Sequence, residues 1–429
     1  MSRTAQLLLT PALSVLLASQ TVAASLPTSR PEEVGLSAER LKRIHDVVQE
    51  HIDAKDFGGA VTLVMRKGKV VHFEAHGVMD LESNKPMRTD TLFRMASMTK
   101  PMTAASILML MEEGKLILSD PVSKFIPEYK NPQVAVWNLP NDPKGAGYHL
   151  VPADREITLK DLLTHTSGLA NGLEGPAGEF VRRANLPRGG SLAERVQRLA
   201  KLPLNFQPGT QWEYSPSTGF DTLGRVVEIL SGLTLEQFFQ QRIFAPLNMN
   251  NSFFTIPPDR LKDVSIVYQK TERGLVKPNI PAPPPAAQSS GPYFSGAGGL
   301  TASAEDYLQF CQMLLNNGQW NGKRLLSRKS VELMTDNAVG TLDLRNYMEG
   351  EGSKQDLTGY GFGLGVRVRR STGASGWLGS VGDFGWAGAN GTYFWIDPKE
   401  QLIGMVLMST RVARLRTEIP NAVYQAFVD

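Results

Sequence analysis

The sequence predicts an α/β unit whose sheet is interrupted by an inserted all-helical region. Three observations carry this prediction: strand-like runs come early, helical patterns dominate from about Ser97 to Arg242, and strand patterns return from Gly363 onward. Strands, then helices, then strands describe one split sheet better than separate beads on a chain. Length alone, 429 residues, suggests about three domains at ~150 residues each. The element order reads instead as a leader over 1–24 and one domain over 25–429. Its α/β part lies at about 31–95 and 293–429, and its helical part at about 96–292.

Each element has a local cause. Arg3, the apolar run Leu7 to Ala18 and the small residues Val22-Ala23-Ala24 follow the order of a secretory signal. Pro11 breaks that run, which falls short of the ~20 residues that span a bilayer. Cleavage after Ala24 and a secreted or periplasmic mature chain without a membrane span are therefore expected. Ser37 precedes Ala38-Glu39-Arg40 as an N-cap. Val61 to Arg66 and Val70 to Ala75 flank Lys67-Gly68-Lys69 and predict a β-hairpin. Thr158 to Asp161 and Ser303 to Asp306 have capping-box spacing. Strands are predicted over Gly363–Arg369, Tyr393–Ile396 and Leu402–Met408, and a last helix over Pro420–Val428. Asn131 to Asp154 and the Pro-rich Asn279 to Pro292 read as irregular.

Composition removes several function classes. Hydrophobic residues are 41% and charged residues 20%, enough apolar content for a large core. The formal charge of +3 lacks the basic excess of a nucleic-acid binder. The lone cysteine, Cys311, excludes an intramolecular disulfide and sits in an amphipathic pattern as a core thiol. Of the histidines, His72 and His76 are four apart, but on a strand-like run where that spacing does not converge them as on a helix. With no H-E-x-x-H, no metal site is expected, and no P-loop or G-x-S-x-G elbow occurs either.

Ser97-Met-Thr-Lys100 does occur. The pair alone is common by chance, so its context decides. Ser97 stands where a helix should start, Pro101 falls in the first turn, and an apolar pattern runs on to Gly114. A spacing of three puts hydroxyl and ammonium on one helical face. The helix N-terminus adds positive potential and free N–H groups that stabilise an oxyanion.

The surroundings extend the signal. Thr91 to Ala104 around Ser97 resembles the nucleophile segment of the serine β-lactamase and penicillin-binding protein superfamily. The resemblance continues through Leu162-Leu-Thr-His165-Thr-Ser-Gly168, Trp212-Glu-Tyr214-Ser215, Gly296-Ala-Gly-Gly-Leu300 and Phe384-Gly-Trp386-Ala387-Gly388. Five ordered motifs from about Pro31 to Met408 are similar to the class C β-lactamase branch and, within it, to the family VIII carboxylesterases. The fold this implies is a mainly antiparallel sheet flanked by helices, with the active site beside the inserted region.

The resemblance also implies roles. Ser97 would be the acylated nucleophile, Lys100 the lysine that helps deprotonate it, and Tyr214 the base. A tyrosine of pKa ~10 is only ~0.1% ionised at pH 7, a penalty of about 4 kcal/mol, so it needs a cation or a proton acceptor beside it. The backbone N–H groups of Ser97 and Ala389 would form the oxyanion hole. His165 is expected to hold a loop rather than to catalyse. No cofactor is implied.

Two departures narrow the substrate. Where β-lactamases and D-alanyl peptidases carry K-T-G, this chain has Trp386-Ala387-Gly388. The missing lysine removes the cation that helps bind the carboxylate of both substrate types. Trp386 offers an apolar wall instead, and Gly388 would let a substrate approach the strand closely. Tyr214-Ser215-Pro216 replaces Y-x-N, so an amide-binding asparagine is absent. The expectation is a hydrolase of small-molecule esters. The rivals are a β-lactamase or D-alanyl peptidase, an acyltransferase or amidase, and a non-catalytic penicillin-binding sensor.

Overall fold

The computed structural model describes residues 26–138, 147–170, 175–178, 180–181, 190–278, 293–342, 344 and 357–429. The predicted leader and the stretch 279–292 lie outside the described residues. Ser37 caps as predicted, its hydroxyl accepting the Arg40 N–H, and the chain runs on into α1 (Arg43–Asp53). Next come β1 (Gly59–Arg66) and β2 (Lys69–Asp80). Lys67 and Gly68 between them both have positive φ, 50° and 74°. That left-handed pair suits a two-residue hairpin turn.

β3 (Lys85–Pro86) lies at one edge of the sheet. The inserted region holds α2 (Lys100–Glu112), α3 (Leu159–Leu163) and α4 (Thr218–Ser231), followed by α5 (Ala304–Leu315). The chain then returns as β4 (Tyr360–Phe362), β5 (Arg367–Arg369), β6 (Phe384–Ala387), β7 (Tyr393–Asp397) and β8 (Leu402–Met408), and α6 (Leu415–Tyr424) follows. The sheet order is β4-β5-β6-β7-β8-β1-β2-β3, with every neighbour antiparallel. β8 closes the sheet across the insertion by pairing with β1, from Ala60 opposite Met408 to Arg66 opposite Leu402.

Period-two alternation divides the core between the two faces. Ala60, Val64, Trp395, Val406 and Met408 point to one side and pack on Ile44 and Val48 of α1 and Ile419 and Val423 of α6. Val61, Leu63, Ile396, Met405 and Leu407 point to the other, toward Ile107 and Leu108 of α2 and Leu308 and Cys311 of α5. The lone thiol is fully buried, as its pattern predicted. No helix among the described residues is long and apolar enough to cross a membrane.

Several boundaries differ from expectation. The predicted strand Gly363–Arg369 is broken, because Gly365 takes φ 79° and the Gly363 N–H bonds the Val366 carbonyl at 2.8 Å, turning β4 back onto β5. The last helix starts at Leu415 and carries Pro420 inside it. Among the described residues the insertion is not all helical. The irregular stretch Asn131–Asp154 contains a hairpin of Gln133–Trp137 with Tyr148–Pro152, and a second pairs Gln269–Thr271 with Gly274–Val276. Thr158 and Asp161 form the full capping box. Ser303 accepts the Asp306 N–H, but the Asp306 carboxylate turns away to the Asn251 N–H and the Ser252 hydroxyl.

Candidate active site

The nucleophile segment is shaped before its helix begins. Residues Ala96–Thr99 form a 3-10 turn leading into α2, and Ala96 has φ 46°, a left-handed conformation that costs a residue with a Cβ about 1 kcal/mol or more. Two tertiary bonds and one local bond hold it there. The Met95 N–H donates to the Leu300 carbonyl at 2.9 Å, the Thr99 hydroxyl to the Ala96 carbonyl at 2.7 Å, and the Tyr307 hydroxyl to the Met98 carbonyl at 2.8 Å. Ser97 is thereby left half-buried at the mouth of the helix, while Lys100 three residues on is wholly buried.

Lys100 and Tyr214 converge on the serine oxygen. The Tyr214 hydroxyl donates to Ser97 Oγ at 2.6 Å, and Lys100 Nζ donates to the same oxygen at 3.0 Å. Nζ also donates to the carbonyls of Pro216 at 2.7 Å and Ala297 at 2.8 Å. Burial pulls the ammonium pKa down to about 7, and the Asp221 carboxylate partly offsets that. Where Y-x-N would place an asparagine, Pro216 offers the lysine its backbone carbonyl.

Asp221 was not legible as a site residue. It lies on α4 and is fully buried, accepting from the Tyr293 hydroxyl, the Ser295 hydroxyl at 2.7 Å and the Ala297 N–H at 3.3 Å. Burial raises its own carboxyl pKa, and these bonds oppose the rise. Through Ala297 it sets the carbonyl that Lys100 uses. The one signal in the sequence is an acid amid the otherwise apolar and small residues Thr218-Gly-Phe-Asp-Thr-Leu-Gly.

His165 holds the tyrosine loop, as expected. It is buried at φ 58°, its Nδ1 accepts the Ser215 N–H at 3.3 Å, and its carbonyl accepts the Glu213 N–H at 3.0 Å. Burial and the nearby Lys100 hold its pKa well below the ordinary value, so the ring is neutral. Its ring packs edge-on against Tyr214 at 4.7 Å.

The β6 segment stands differently from expectation. Trp386 is only 3% exposed and packs behind Tyr214 at 5.4 Å and edge-on to Phe362 at 5.1 Å. It therefore backs the tyrosine rather than lining an open wall, and the half-buried Ala387 is the more accessible neighbour. A Cβ on Gly388 would lie 2.2 Å from Thr392 Oγ1 and 2.3 Å from the Met95 carbonyl oxygen. That glycine makes room for the nucleophile segment itself. Thr392 Oγ1 donates to the Met95 carbonyl at 3.1 Å, and the Gly388 carbonyl accepts from buried Arg416 of α6 at 2.7 Å. Exposed Ala389 follows on this clamped turn. The arrangement brings together Ser97, Lys100 and Tyr214 and packs Trp386, Ala387 and Gly388 beside them.

A serine oxygen held between a phenol and a buried amine is the donor and acceptor set of acyl transfer through a covalent intermediate. Comparison with known proteins agrees with that geometry. The β-lactamase family matches residues 44–427. Protein Rv1367c of Mycobacterium tuberculosis is 36% identical over 366 residues, covering 84% of this chain and 88% of its own. Esterase EstB of Burkholderia gladioli is 32% identical over 316 residues, covering 69% and 74%. The solved structure of EstCE1, described as a hydrolase with promiscuous acyltransferase activity, superposes with a TM-score of 0.73 at 26% identity, over 90% of this chain and 99% of that one. With this fold, this serine hydrolase-type site and esterases among its relatives, the chain belongs to the β-lactamase family of the serine β-lactamase and penicillin-binding protein superfamily.

Proposed function

We propose that the protein is a carboxylesterase that cleaves small-molecule esters through an acyl-enzyme on Ser97. The observation that carries this reading is the placement of Ser97 Oγ between the Tyr214 hydroxyl and a Lys100 amine whose pKa lies near 7. Near neutral pH a large share of Lys100 is uncharged and can take the phenol proton. Tyr214 as phenolate then removes the Ser97 proton while Oγ bonds to the ester carbonyl carbon. The N–H groups of Ser97 and Ala389 are the proposed donors to the oxyanion, an arrangement worth roughly 3–4 kcal/mol per donor in such sites. The turn clamped at Gly388 and Thr392 supports that role for Ala389. Collapse breaks the bond to the alcohol, which leaves with the proton from Tyr214. A water then adds to the acyl carbonyl, Tyr214 taking its proton, and the acyl–Oγ bond breaks as Tyr214 returns that proton to Ser97 Oγ, releasing the carboxylic acid.

Esters are favoured over β-lactams and D-alanyl peptides because Trp386-Ala387-Gly388 supplies no cation for a substrate carboxylate. The EstB likeness supports the same choice. The acyltransferase activity in the description of EstCE1 favours a second reading, in which an alcohol replaces water as acceptor on the same acyl-enzyme. Export with cleavage after Ala24 belongs to the proposal as well.

The test is hydrolysis of p-nitrophenyl esters of graded acyl length beside nitrocefin, with and without a competing alcohol. Ester turnover should exceed nitrocefin turnover, and Ser97→Ala should lower it by roughly 10³-fold or more. Tyr214→Phe should lower kcat by about 10²–10⁴-fold. Efficient nitrocefin turnover without ester cleavage, or full activity in Ser97→Ala, overturns the reading.

A further inference from the structure

On the sheet face away from Ser97, four side chains meet that the esterase chemistry does not use. His72, Glu74 and His76 alternate along β2 and so share one face, the face that α1 covers with His45. A spacing of four predicts no convergence of His72 and His76 on a strand, where i and i+4 lie far apart. The structure joins them through one hydroxyl of the neighbouring strand: Thr62 Oγ1 lies 2.7 Å from His72 Nε2 and 2.9 Å from His76 Nε2.

A hydroxyl shared by two imidazoles has one proton to give. It donates to one ring and must accept from the other, so the two rings are locked into opposite tautomers. His76 is 3% exposed and its Nδ1 has no hydrogen-bond partner. Glu74 Oε1 stands 3.8 Å from that atom, too far for a hydrogen bond, while His45 Nδ1 lies 2.7 Å from the same oxygen. Either tautomer leaves His76 incomplete. A protonated Nδ1 is a buried donor without an acceptor, and a bare Nδ1 turns its lone pair toward a carboxylate.

A cation removes both faults. We infer that His45, Glu74 and His76 form a binding site for a divalent transition-metal ion, zinc being the best match to two imidazoles and a carboxylate. Their three ligand atoms lie within 4.8 Å of one another, the one such group among the described residues. Zinc bonds of about 2.0–2.2 Å at tetrahedral angles put ligand atoms roughly 3.4 Å apart. The 3.8 Å contact is already close to that spacing, and the 2.7 Å contact opens by less than an ångström. With Nδ1 on the metal, His76 Nε2–H donates to Thr62, which donates to His72 Nε2. This is the outer-shell hydrogen bond that orients metal-bound imidazoles. A cleft of about 370 Å³ lined by His45, His72 and Glu74 gives an entry path and room for a water as fourth ligand. Lys42 also lines it, but pairs with Glu39 at 2.7 Å. The ion would tie α1 to the sheet.

The test titrates metal-stripped protein with Zn²⁺ alone by calorimetry and follows Tm and ester turnover in parallel. One equivalent should bind with Kd below about 10 µM and raise Tm, leaving ester turnover unchanged. His45→Ala and Glu74→Gln should each weaken binding by roughly tenfold or more, and the nearly isosteric Thr62→Val by about 10–100-fold, with folding checked by retained turnover. If wild type binds no equivalent at that affinity, or if His45→Ala and Glu74→Gln bind as wild type does, there is no site here. If only Thr62→Val binds normally, the hydroxyl relay is wrong and the claim reduces to the three ligands.

Discussion

Burial of Lys100 without a salt-bridged carboxylate is the residue-scale fact on which the proposed chemistry rests. Desolvation moves its pKa from an ordinary 10.5 to about 7, and Asp221 pulls the other way. The sign for activity follows. If neutral Lys100 accepts the phenol proton, kcat/KM rises with pH through about 7 and levels above it. Asp221→Asn removes the anion that favours the ammonium, so the Lys100 pKa falls and the rising limb moves to lower pH. A pH profile of ester hydrolysis from 5 to 9 checks this; a limb that stays put or moves up refutes the coupling. Ser97 and Lys100 were legible because a spacing of three keeps them on one helical face, and Tyr214, 117 residues from Ser97, was legible through the family resemblance alone. Asp221 was not, because a carboxylate in a helix ordinarily reads as a solvated face. Only the tertiary approach of Tyr293, Ser295 and Ala297 shows it to be buried.

At the scale of elements, the turn after β6 and the segment before α2 behave as one piece. A Cβ on Gly388 would strike the Met95 carbonyl, Thr392 bonds that carbonyl, and Ala96 is held left-handed next door. Gly388→Ala pushes a methyl into backbone that has no room to yield. The expected cost is about 1–3 kcal/mol of stability, with kcat lowered more than KM is raised, since the Ser97 and Ala389 N–H groups separate before the substrate pocket does. Chemical denaturation and steady-state kinetics read both; a stable, fully active variant contradicts the clamp. Caps and hairpin turns such as Ser37, Thr158 and Lys67-Gly68 were readable because their causes lie within a few residues. The β4–β5 turn and the start of α6 were not. A conformational glycine within an apolar run, and a proline tolerated inside a helix that packs on the sheet, are decided by distant contacts.

The whole molecule is a sheet with two unequal covers. α1 and α6 close one face, and the larger face carries α5 and α2, with Lys100 at the start of α2. The split sheet was foreseen from strands flanking helices, and the closing pair β8–β1 accounts for it: the last strand returns to the first. The all-helical reading of the insertion failed where Val134 and Val151 pair across a hairpin. Arg416 links the covers by reaching from α6 through to the Gly388 carbonyl. Cys311 lies in the middle of the larger core, fully buried, and its thiol pKa is raised well above the ordinary value by burial. A disulfide reagent such as Ellman's should therefore find no thiol in the native protein and one after guanidinium unfolding. A native thiol that reacts within minutes would show that α5 opens.

That single hidden sulfur makes the folded protein a blank background for labelling. A cysteine introduced at an exposed position such as Trp137 or Lys115 would be the sole nucleophile that a maleimide dye could reach. With a cysteine at each of two such positions, distances between dyes could then be followed during turnover without first deleting a native residue.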